Sequence, residues 1–314
     1  MATYYTTNSL IEAIKLKGMI PTSQNTINTE NFITFINEEM DLGVLPHILT
    51  FHEDNFTRTE VVQLTAGQYK YQIPSRAIGN KLKDIYIMDY NGNLLEMTRV
   101  SNGDLGDYNQ RYATSRAFYL EGDSIVLLGE VTATNSLKFL YHIRPNRVVQ
   151  EYRAAKILSV EDNKVVIGDI PVYGTTQLLN VGTICDIVRA KSPHSCAIID
   201  TAITNITAVG DTHEITLNTS GLTTIVKAGD YLNLAEETII PQVPPELHGL
   251  LAQRVVARCL EALGDAAGLQ AANTKIAELE IKTGSLIDNR VENAPQKIRN
   301  RWGMLSKFKR RNWW

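Results

Sequence analysis

The C-terminal part of the chain contains two stretches with apolar residues at helical spacing, and these stretches constrain the fold most. The first begins at Pro245, which suits the first helical turn because its missing N–H is not needed there. Gly264 is typical of a helix end, and Asp265 is suited to capping the next helix. That second helix carries only a narrow apolar seam, formed by Leu269, Ala272, Ile276, Leu279 and Leu286. A helix pair of this kind cannot bury both faces alone, so it predicts partners from the same chain or from further copies of it.

Residues 1–56 also contain apolar residues at helical spacing. The predicted boundaries are a cap at Thr7 or Asn8 with an end at Gly18, a cap at Thr29 with an end at Gly43, and a third helix from Leu45 to Asn55. We expect these helices to supply the core that the C-terminal pair lacks. The sequence therefore predicts one discontinuous helical core, built from residues 1–56 and 243–290, with residues 57–242 inserted into it.

From Thr57 the apolar pattern changes to two-residue alternation, which is typical of strands. Asn91-Gly92 and Gly122-Asp123 each separate two alternating runs and predict hairpins. Ala66-Gly67 predicts another turn, between strands at residues 60–64 and 69–73, and residues 101–116 read as an exposed loop. About seven short strands at this spacing predict an antiparallel sandwich or barrel over residues 57–150.

Residues 151–242 contain a weak internal repeat. Hairpins are predicted at residues 156–167 and again at 203–217, each followed by a glycine-containing strand start, about 46 residues apart. A doubled β unit commonly closes into a small barrel. The overall prediction is an α+β fold, with a discontinuous helical bundle from both chain ends and two inserted β modules.

Composition limits the class of protein. At 314 residues the chain is long enough for two or three structural units, and its 44% apolar and 21% charged residues are typical of a soluble globular protein. The N-terminus lacks the features of a secretory signal, and no apolar run is long enough to span a bilayer, so no membrane partner is expected. Three cysteines without metal-ligand spacing predict reduced thiols.

A search for motifs that carry chemistry gives no phosphate-binding, dinucleotide, nucleophile-elbow or zinc-protease pattern. Ser192-Pro193-His194-Ser195-Cys196 is the one cluster that pairs a nucleophile with a base, but sequence neighbours rarely form a catalytic triad. No catalytic residue, cofactor or metal is therefore predicted. A glycan hydrolase acting through the β region remains an alternative, and it would require two facing carboxylates roughly 5–10 Å apart.

The C-terminal tail, residues 291–314, is both basic and aromatic. From Arg290 onward eight Lys or Arg residues stand against one Glu, although the net charge of the whole chain is −3. Such a segment suits docking in a groove of a protein partner, binding to nucleic acid, or a disordered solubilising end. On the first of these readings, the predicted partner-binding residues are Ile298, Arg299, Arg301, Trp302, Met304, Leu305, Phe308, Arg310, Arg311, Trp313 and Trp314.

Three stretches resemble the head-to-tail connector proteins (adaptor or ring proteins) of tailed bacteriophages, most closely those of crAss-like phages. They are GMIPTSQNTINTENFITFINEEMDLGVLPHIL, YQIPSRAIGNKLKDIYIMDYNGNLLEMTRV and PQVPPELHGLLAQRVVARCLEALGD. The similarity extends over nearly the whole chain as far as Arg301. It implies a helical bundle with β insertions, assembled as a twelve-copy ring beneath the portal and using a C-terminal extension to grip it.

The resemblance also implies the partners and location of the protein. These are further copies of itself, the portal protein, other tail or ring proteins and the genomic DNA that passes through the channel, in the neck of a virion assembled from protein made in the host cytoplasm. The leading hypothesis is therefore a structural ring subunit without catalytic activity. The alternative is a nucleic-acid-binding structural module that acts through the basic tail.

Overall fold

The computed structural model describes residues 5–21, 26–51, 53–105, 116–129, 133–192, 194–284 and 286. The helices of this part of the chain are α1 (Thr7–Lys17), α2 (Thr29–Glu39), α3 (Leu45–Phe51), α4 (Leu222–Ile225), α5 (Pro245–Leu263) and α6 (Ala266–Gly284). A π-helical turn, Met40–Val44, joins α2 to α3. None of the helices described has both the length and the apolar character needed to cross a bilayer.

The helical core is built from both ends of the chain. Helix α5 is its centre, because α1, α2 and α6 all pack against it. The shared cluster of buried residues includes Leu10 and Ile14 of α1, Phe32 and Ile36 of α2, and Leu251 of α5. The N-terminal helices thus cover the apolar face that the C-terminal pair leaves open, as the sequence predicts.

A buried carboxylate fixes the relative position of three helices. Glu39, at the end of α2, is 5% exposed and accepts hydrogen bonds from two arginines of α5, Arg254 (3.3 Å) and Arg258 (2.6 Å). Arg254 also forms an ion pair with Glu280 of α6. Charge-assisted bonds of this kind set orientation as well as energy.

The first β unit is a sandwich of two four-stranded sheets. Its strands are β1 (Thr57–Gln63), β2 (Lys70–Gln72), β3 (Ala77–Met88), β4 (Leu94–Glu96), β5 (Thr98–Arg99), β6 (Ala117–Glu121), β7 (Ser124–Leu128) and β8 (Ser136–Ile143). One sheet has the order β1-β8-β3-β4 and the other β2-β7-β6-β5. Both sheets contribute to one apolar core that includes Tyr71, Ile85, Ile125 and Phe139. The hairpins predicted at Asn91-Gly92 and Gly122-Asp123 are confirmed as β3–β4 and β6–β7.

The second β unit contains a closed six-stranded barrel. Its strands are β10 (Ala155–Val160), β11 (Lys164–Ile167), β14 (Ile184–Val188), β15 (Cys196–Val209), β16 (Thr212–Leu217) and β17 (Tyr231–Leu234). Short strands accompany it: β9 (Arg147–Val148), β12 (Val172–Tyr173), β13 (Thr176–Gln177) and β18 (Glu237–Thr238). The barrel order is β10-β11-β16-β15-β14-β17, and β10 closes it by pairing with β17.

The barrel order explains the internal repeat of the sequence. The first copy of the repeat supplies β10, β11 and β14, and the second supplies β15, β16 and β17. If each strand is replaced by its counterpart in the other copy, every strand keeps the same two types of neighbour, and the order around the barrel runs in the opposite direction. The two copies of the repeat are therefore interleaved around a pseudo-two-fold axis. The prediction of a small barrel from a doubled unit is confirmed.

Several predicted boundaries are wrong. Asn28 caps α2, because its Oδ1 accepts the N–H of Asn31 at 2.8 Å, whereas Thr29 is the first helical residue. Gly43 does not end that helix, since the chain continues through the π turn into α3. A Cβ on Gly43 would lie 2.7 Å from Nη1 of Arg254 and would displace the ends of the ion-paired Arg254 and Glu39 side chains, so the glycine permits their close approach and does not mark a helix end. Likewise Thr6, not Thr7 or Asn8, is the N-cap of α1.

The predicted turn at Ala66-Gly67 is present, but the strands on either side of it do not pair with each other: β1 pairs with β8 and β2 pairs with β7, so the chain crosses from one sheet to the other. Two further predictions are wrong. Leu286 is 66% exposed and lies beyond the end of α6, so it is not part of the apolar seam. The third helix ends at Phe51 and is followed by a 3₁₀ turn, Glu53–Phe56.

The division of the chain into separately folding domains stays a prediction. Within the range 57–150 assigned to the sandwich, β9 pairs in parallel with β18, which follows the barrel. Part of the predicted loop at 101–116, the whole of the tail at 291–314 and the end of the range 243–290 lie outside the described residues.

A substitution in α5 tests the shared helical core. Leu251 is fully buried between both ends of the chain, so Leu251→Asp should cost at least about 3 kcal/mol of unfolding free energy, through lost apolar burial and an unpaired buried carboxylate. Urea unfolding followed by circular dichroism measures the change. Leu42→Asp is the matched control, because Leu42 is 73% exposed in the π turn. Equal stability of the two variants would contradict a core shared by both chain ends.

Candidate functional site

The predicted partner-binding residues of the tail, from Ile298 to Trp314, lie outside the described residues, so their role stays a prediction. Within the described chain, the feature with the most unusual chemistry is a buried polar cluster centred on Arg76. We define the junction as Arg76, Asn146, Asp186 and Gln242. It lies where the sandwich, the barrel and their connections to the helical core meet.

Arg76 and Asp186 form a bidentate ion pair inside the protein. Arg76, which precedes β3, is 4% exposed, and Asp186 of β14 is completely buried. Nη1 of Arg76 donates to Oδ2 of Asp186 at 2.7 Å, and Nη2 donates to Oδ1 at 3.0 Å. Burial alone would lower the pKa of Arg76, but its hydrogen bonds to Asp186 and Asp200 outweigh burial and raise the pKa above its ordinary value. The guanidinium therefore remains charged.

The carboxylate oxygens of Asp186 also accept hydrogen bonds from residues of several other chain segments. Asn146 Nδ2 donates to Oδ2 at 2.7 Å, and the backbone N–H groups of Asp200 and Glu236 donate to the same carboxylate at 2.9 and 3.1 Å. Asn146 accepts from Arg76 in turn, and its backbone N–H donates to Gln242. A buried carboxylate whose oxygens accept several hydrogen bonds in this way holds its geometry closely.

Two clefts lie on either side of Arg76. The first, of about 320 Å³, lies between the sandwich and the barrel and is lined by residues including Glu60, Tyr141 and Asp200. The second, of about 310 Å³, is lined by Asp41, Arg76, Arg144, Pro145, Asn146, Arg147 and Glu236. The clefts thus combine arginines and carboxylates, with few apolar groups.

The first cleft bears on the hydrolase alternative, because one carboxylate of the sandwich, Glu60, and one of the barrel, Asp200, both line it. Burial raises the pKa of Glu60, and the charge of Asp200 raises it further. Asp200, however, forms an ion pair with Arg76 and adopts a left-handed backbone conformation (φ 53°). Its carboxylate is therefore turned towards the junction and partly neutralised there.

The Ser192–Cys196 cluster does not form a nucleophile–base arrangement. His194 is fully buried and adopts a positive φ of 58°, and its ring lies 5.7 Å from the ring of His248 of α5. Cys196 is buried, and Gln242 donates to its Sγ at 3.0 Å. Burial raises the pKa of Cys196 to about 12, so the thiol stays protonated and unreactive at neutral pH.

The thiols of the other two cysteines are also protonated at neutral pH. Burial raises the pKa of both Cys185 and Cys259 to about 12. Across the described ranges, no group of three His, Cys, Asp or Glu side chains is arranged to hold a metal ion.

Sequence reasoning missed the junction completely. One signal was present: Asp186 is a charged residue in the otherwise apolar strand Ile184–Val188. A charge in such a strand requires a partner, but that partner is 110 residues away along the chain, and nothing local identifies Arg76.

Breaking the junction should be costly. Asp186→Asn leaves the buried Arg76 without its main counter-ion, so we expect a loss of roughly 3–5 kcal/mol in unfolding free energy. Glu278→Gln, which removes the partner of two exposed lysines on α6, should leave the urea midpoint almost unchanged. The double variant Arg76→Met/Asp186→Leu should recover much of the lost stability, because replacing the pair leaves no unpaired charge. A cost for Asp186→Asn as small as that for Glu278→Gln would show that the pair is not needed for stability.

His248 should make the protein sensitive to acid. Its Nδ1 accepts the backbone N–H of Tyr5 at 3.1 Å, and its Nε2 lies 3.1 Å from the carbonyl of Val243, so the ring is neutral with its proton on Nε2. Burial, together with the neighbouring His194, lowers the pKa of His248 to about 4. The unfolded state therefore binds the proton first, and stability should fall by about 3 kcal/mol as pH drops from about 6.5 to 4. In His248→Gln, urea midpoints measured across this range should fall less steeply, whereas parallel curves would contradict the assignment.

Neither a family model nor a curated protein sequence matches this chain. Its function must therefore be inferred from its own residues and geometry.

Proposed function

We propose that the protein is a structural subunit of a ring in the neck of a tailed bacteriophage, where it connects the portal to the tail and extends the DNA channel. The proposal rests first on the resemblance of three sequence stretches to head-to-tail connector proteins. These stretches contribute α2, β3 and α5, which belong to the helical core and the sandwich.

The observation that carries the proposal is the unpartnered outer face of α6. This helix has 19 residues, but only its narrow seam and its last turn pack against the rest of the core. Ile281 is 80% exposed on it, and the neighbouring exposed positions include the small residues Ala267, Ala271 and Ala277. A smooth, partly apolar helix face of this kind is suited to contact with another protein.

A ring requires two different faces on each subunit, because successive copies meet head to tail. Helix α1 also packs on α5 and provides a second exposed apolar area, with Leu16 81% and Met19 89% exposed. We infer that the α6 face of one copy contacts the α1 region of the next. The resemblance gives twelve as the number of copies.

The junction supports a structural role as well. A connector must hold its modules in fixed positions while it contacts the portal, other tail proteins and the passing genome. The ion pair between Arg76 and Asp186 links the sandwich to the barrel, and Asn37 of α2 bonds both the N–H and the C=O of Val148 in the connection between them. The modules are therefore joined by specific buried bonds in addition to the chain itself.

The alternative function is a structural module that binds nucleic acid through the tail. From Arg290 onward there are eight cationic residues and one Glu, and this balance favours it. Binding of that type depends on phosphate neutralisation and should weaken steeply with salt, whereas aromatic anchors in protein pockets are not screened.

Ring formation provides the first test. The purified protein should form closed rings in negative-stain images, either alone or when mixed with the portal. Ile281→Asp places a charge on the proposed contact face and should reduce the rings to monomers while leaving the circular dichroism spectrum unchanged. Val209→Asp, which places the same charge at a 54% exposed position of β15 outside both proposed contact faces, serves as the matched control. Rings formed equally well by Ile281→Asp would contradict the α6 contact.

The tail provides the second test, with two matched sets of substitutions. Replacing Trp302, Phe308, Trp313 and Trp314 by Ala removes the aromatic anchors and keeps the charge. Replacing Lys307, Lys309, Arg310 and Arg311 by Ser removes charge and keeps the anchors. In co-sedimentation with portal, the first set should abolish binding and the second should only weaken it. The opposite order, together with DNA affinity that falls steeply between low and physiological salt, would favour the nucleic-acid alternative.

A further inference from the structure

The second cleft beside the junction has a composition that neither the fold nor the ring proposal explains. We call it the arginine cleft; its lining side chains Arg76, Arg144, Arg147, Asp41 and Glu236 carry the argument. They come from four parts of the chain: the π turn after α2, the sandwich, the connection through β9, and the segment that leaves the barrel. The cleft is thus the place where all the structural units approach one another.

The cleft contains a buried donor without an acceptor. Nε of Arg76 has no hydrogen-bond partner among the described residues, although the Arg76 side chain is 96% buried. Oε1 of Glu236 lies 3.9 Å from this Nε, too far for a hydrogen bond. An unsatisfied buried donor costs free energy, so this N–H is expected to have an acceptor other than the described residues.

Two further guanidinium groups face the same space. Arg144 and Arg147 are exposed, and neither side chain forms an ion pair or hydrogen bond with a described residue. Arginine presents a fork of N–H donors that matches the oxygens of carboxylate and phosphate groups. Three guanidinium groups therefore converge on one cleft, and two of them are uncommitted.

The carboxylates of the cleft set its charge balance. The loss of solvent around the Asp41 carboxyl raises its pKa, whereas Arg144 and Arg147 oppose that shift. Glu236 lies beside Arg76, with its backbone held in the left-handed region at φ 64°. The positive charge of the cleft should therefore increase when Asp41 is protonated or replaced by a neutral residue.

We propose that the arginine cleft binds an oxyanion. One anion oxygen accepts the N–H of Arg76 Nε, and others accept from the guanidinium groups of Arg144 and Arg147. The volume of about 310 Å³ suits a phosphate ion with accompanying water, or a single acidic side chain inserted from a neighbouring protein. Both ligands share the same chemistry. A bound anion would tie the π turn, the sandwich and the β9 connection together and stabilise their arrangement.

Inorganic phosphate is the probe for the first experiment. Thermal unfolding and calorimetric titration of the full-length protein are measured at constant ionic strength, with chloride replaced stepwise by phosphate. We expect a saturable rise in Tm and a measurable binding heat. Arg144→Ala/Arg147→Ala should lose both. Arg99→Ala, which removes an exposed arginine of β5 outside the cleft, should keep both.

Asp41→Asn provides a further test, because this substitution should strengthen phosphate binding. Removal of one negative charge from the cleft should lower the phosphate Kd by roughly threefold to tenfold at pH 7. As pH falls towards the raised pKa of Asp41, the phosphate Kd of the unmodified protein should approach that of Asp41→Asn, because the charge of phosphate itself changes equally in both titrations.

Acetate at equal ionic strength distinguishes the two sources of anion. Saturable binding of phosphate but not acetate supports a phosphate ion, and comparable binding of both supports a carboxylate side chain of a neighbour. The proposal is overturned if neither anion gives a saturable effect, since water alone then satisfies Arg76. It is overturned equally if Arg144→Ala/Arg147→Ala responds like Arg99→Ala. None of these outcomes depends on ring formation.

Discussion

The arrangement of the β modules depends on the requirement that a buried charge be paired. Arg76 is inside the protein, so it must be offset by carboxylates, and those carboxylates belong to a different module. The hydrogen bonds of the pair form only at contact distance, and the bidentate geometry fixes rotation as well as separation. The sandwich and the barrel therefore have one relative orientation in which the charges are satisfied. Others would leave Asp186 or Arg76 unpaired at a cost of several kcal/mol.

Specific polar contacts also join the helices of the core to one another and to the segments that connect the core with the barrel. Thr7 of α1 donates from Oγ1 to the carbonyls of Val149 and Ile239, at 2.6 and 3.1 Å, which lie in the segments entering and leaving the barrel. Glu39 binds α2 to α5 through two arginines. Each of these contacts joins segments far apart in sequence, so the core, the connections and the β modules form one continuous set of specific bonds.

Much of the fold could be predicted from sequence, because its signals are local. Gly264 with Asp265 marks the turn between α5 and α6, and Asn91-Gly92 marks a hairpin, through backbone preferences that need no distant partner. The barrel was predictable because a repeated pattern reports a repeated structure. The predictions that were wrong concern contacts between residues that are far apart in the sequence. The pairing of β1 with β8 and the role of Gly43 beside Arg254 depend on residues brought near only by folding. The junction could not be predicted from sequence, because its residues are also brought together only by folding. The sequence alone suggested a site only in the tail.

The closure of the barrel has a consequence for how such a chain can change over evolution. Its first and last strands, β10 and β17, are neighbours, so the chain enters and leaves the module at adjacent points. A module with adjacent ends can in principle be lost, acquired or exchanged without disturbing its host. This barrel, however, carries the acid that neutralises an arginine of the sandwich. A replacement module would have to present a carboxylate at the same place, or the sandwich would have to lose Arg76 at the same time. The two β modules are thus constrained to evolve as a pair, although the path of the chain would let them evolve separately.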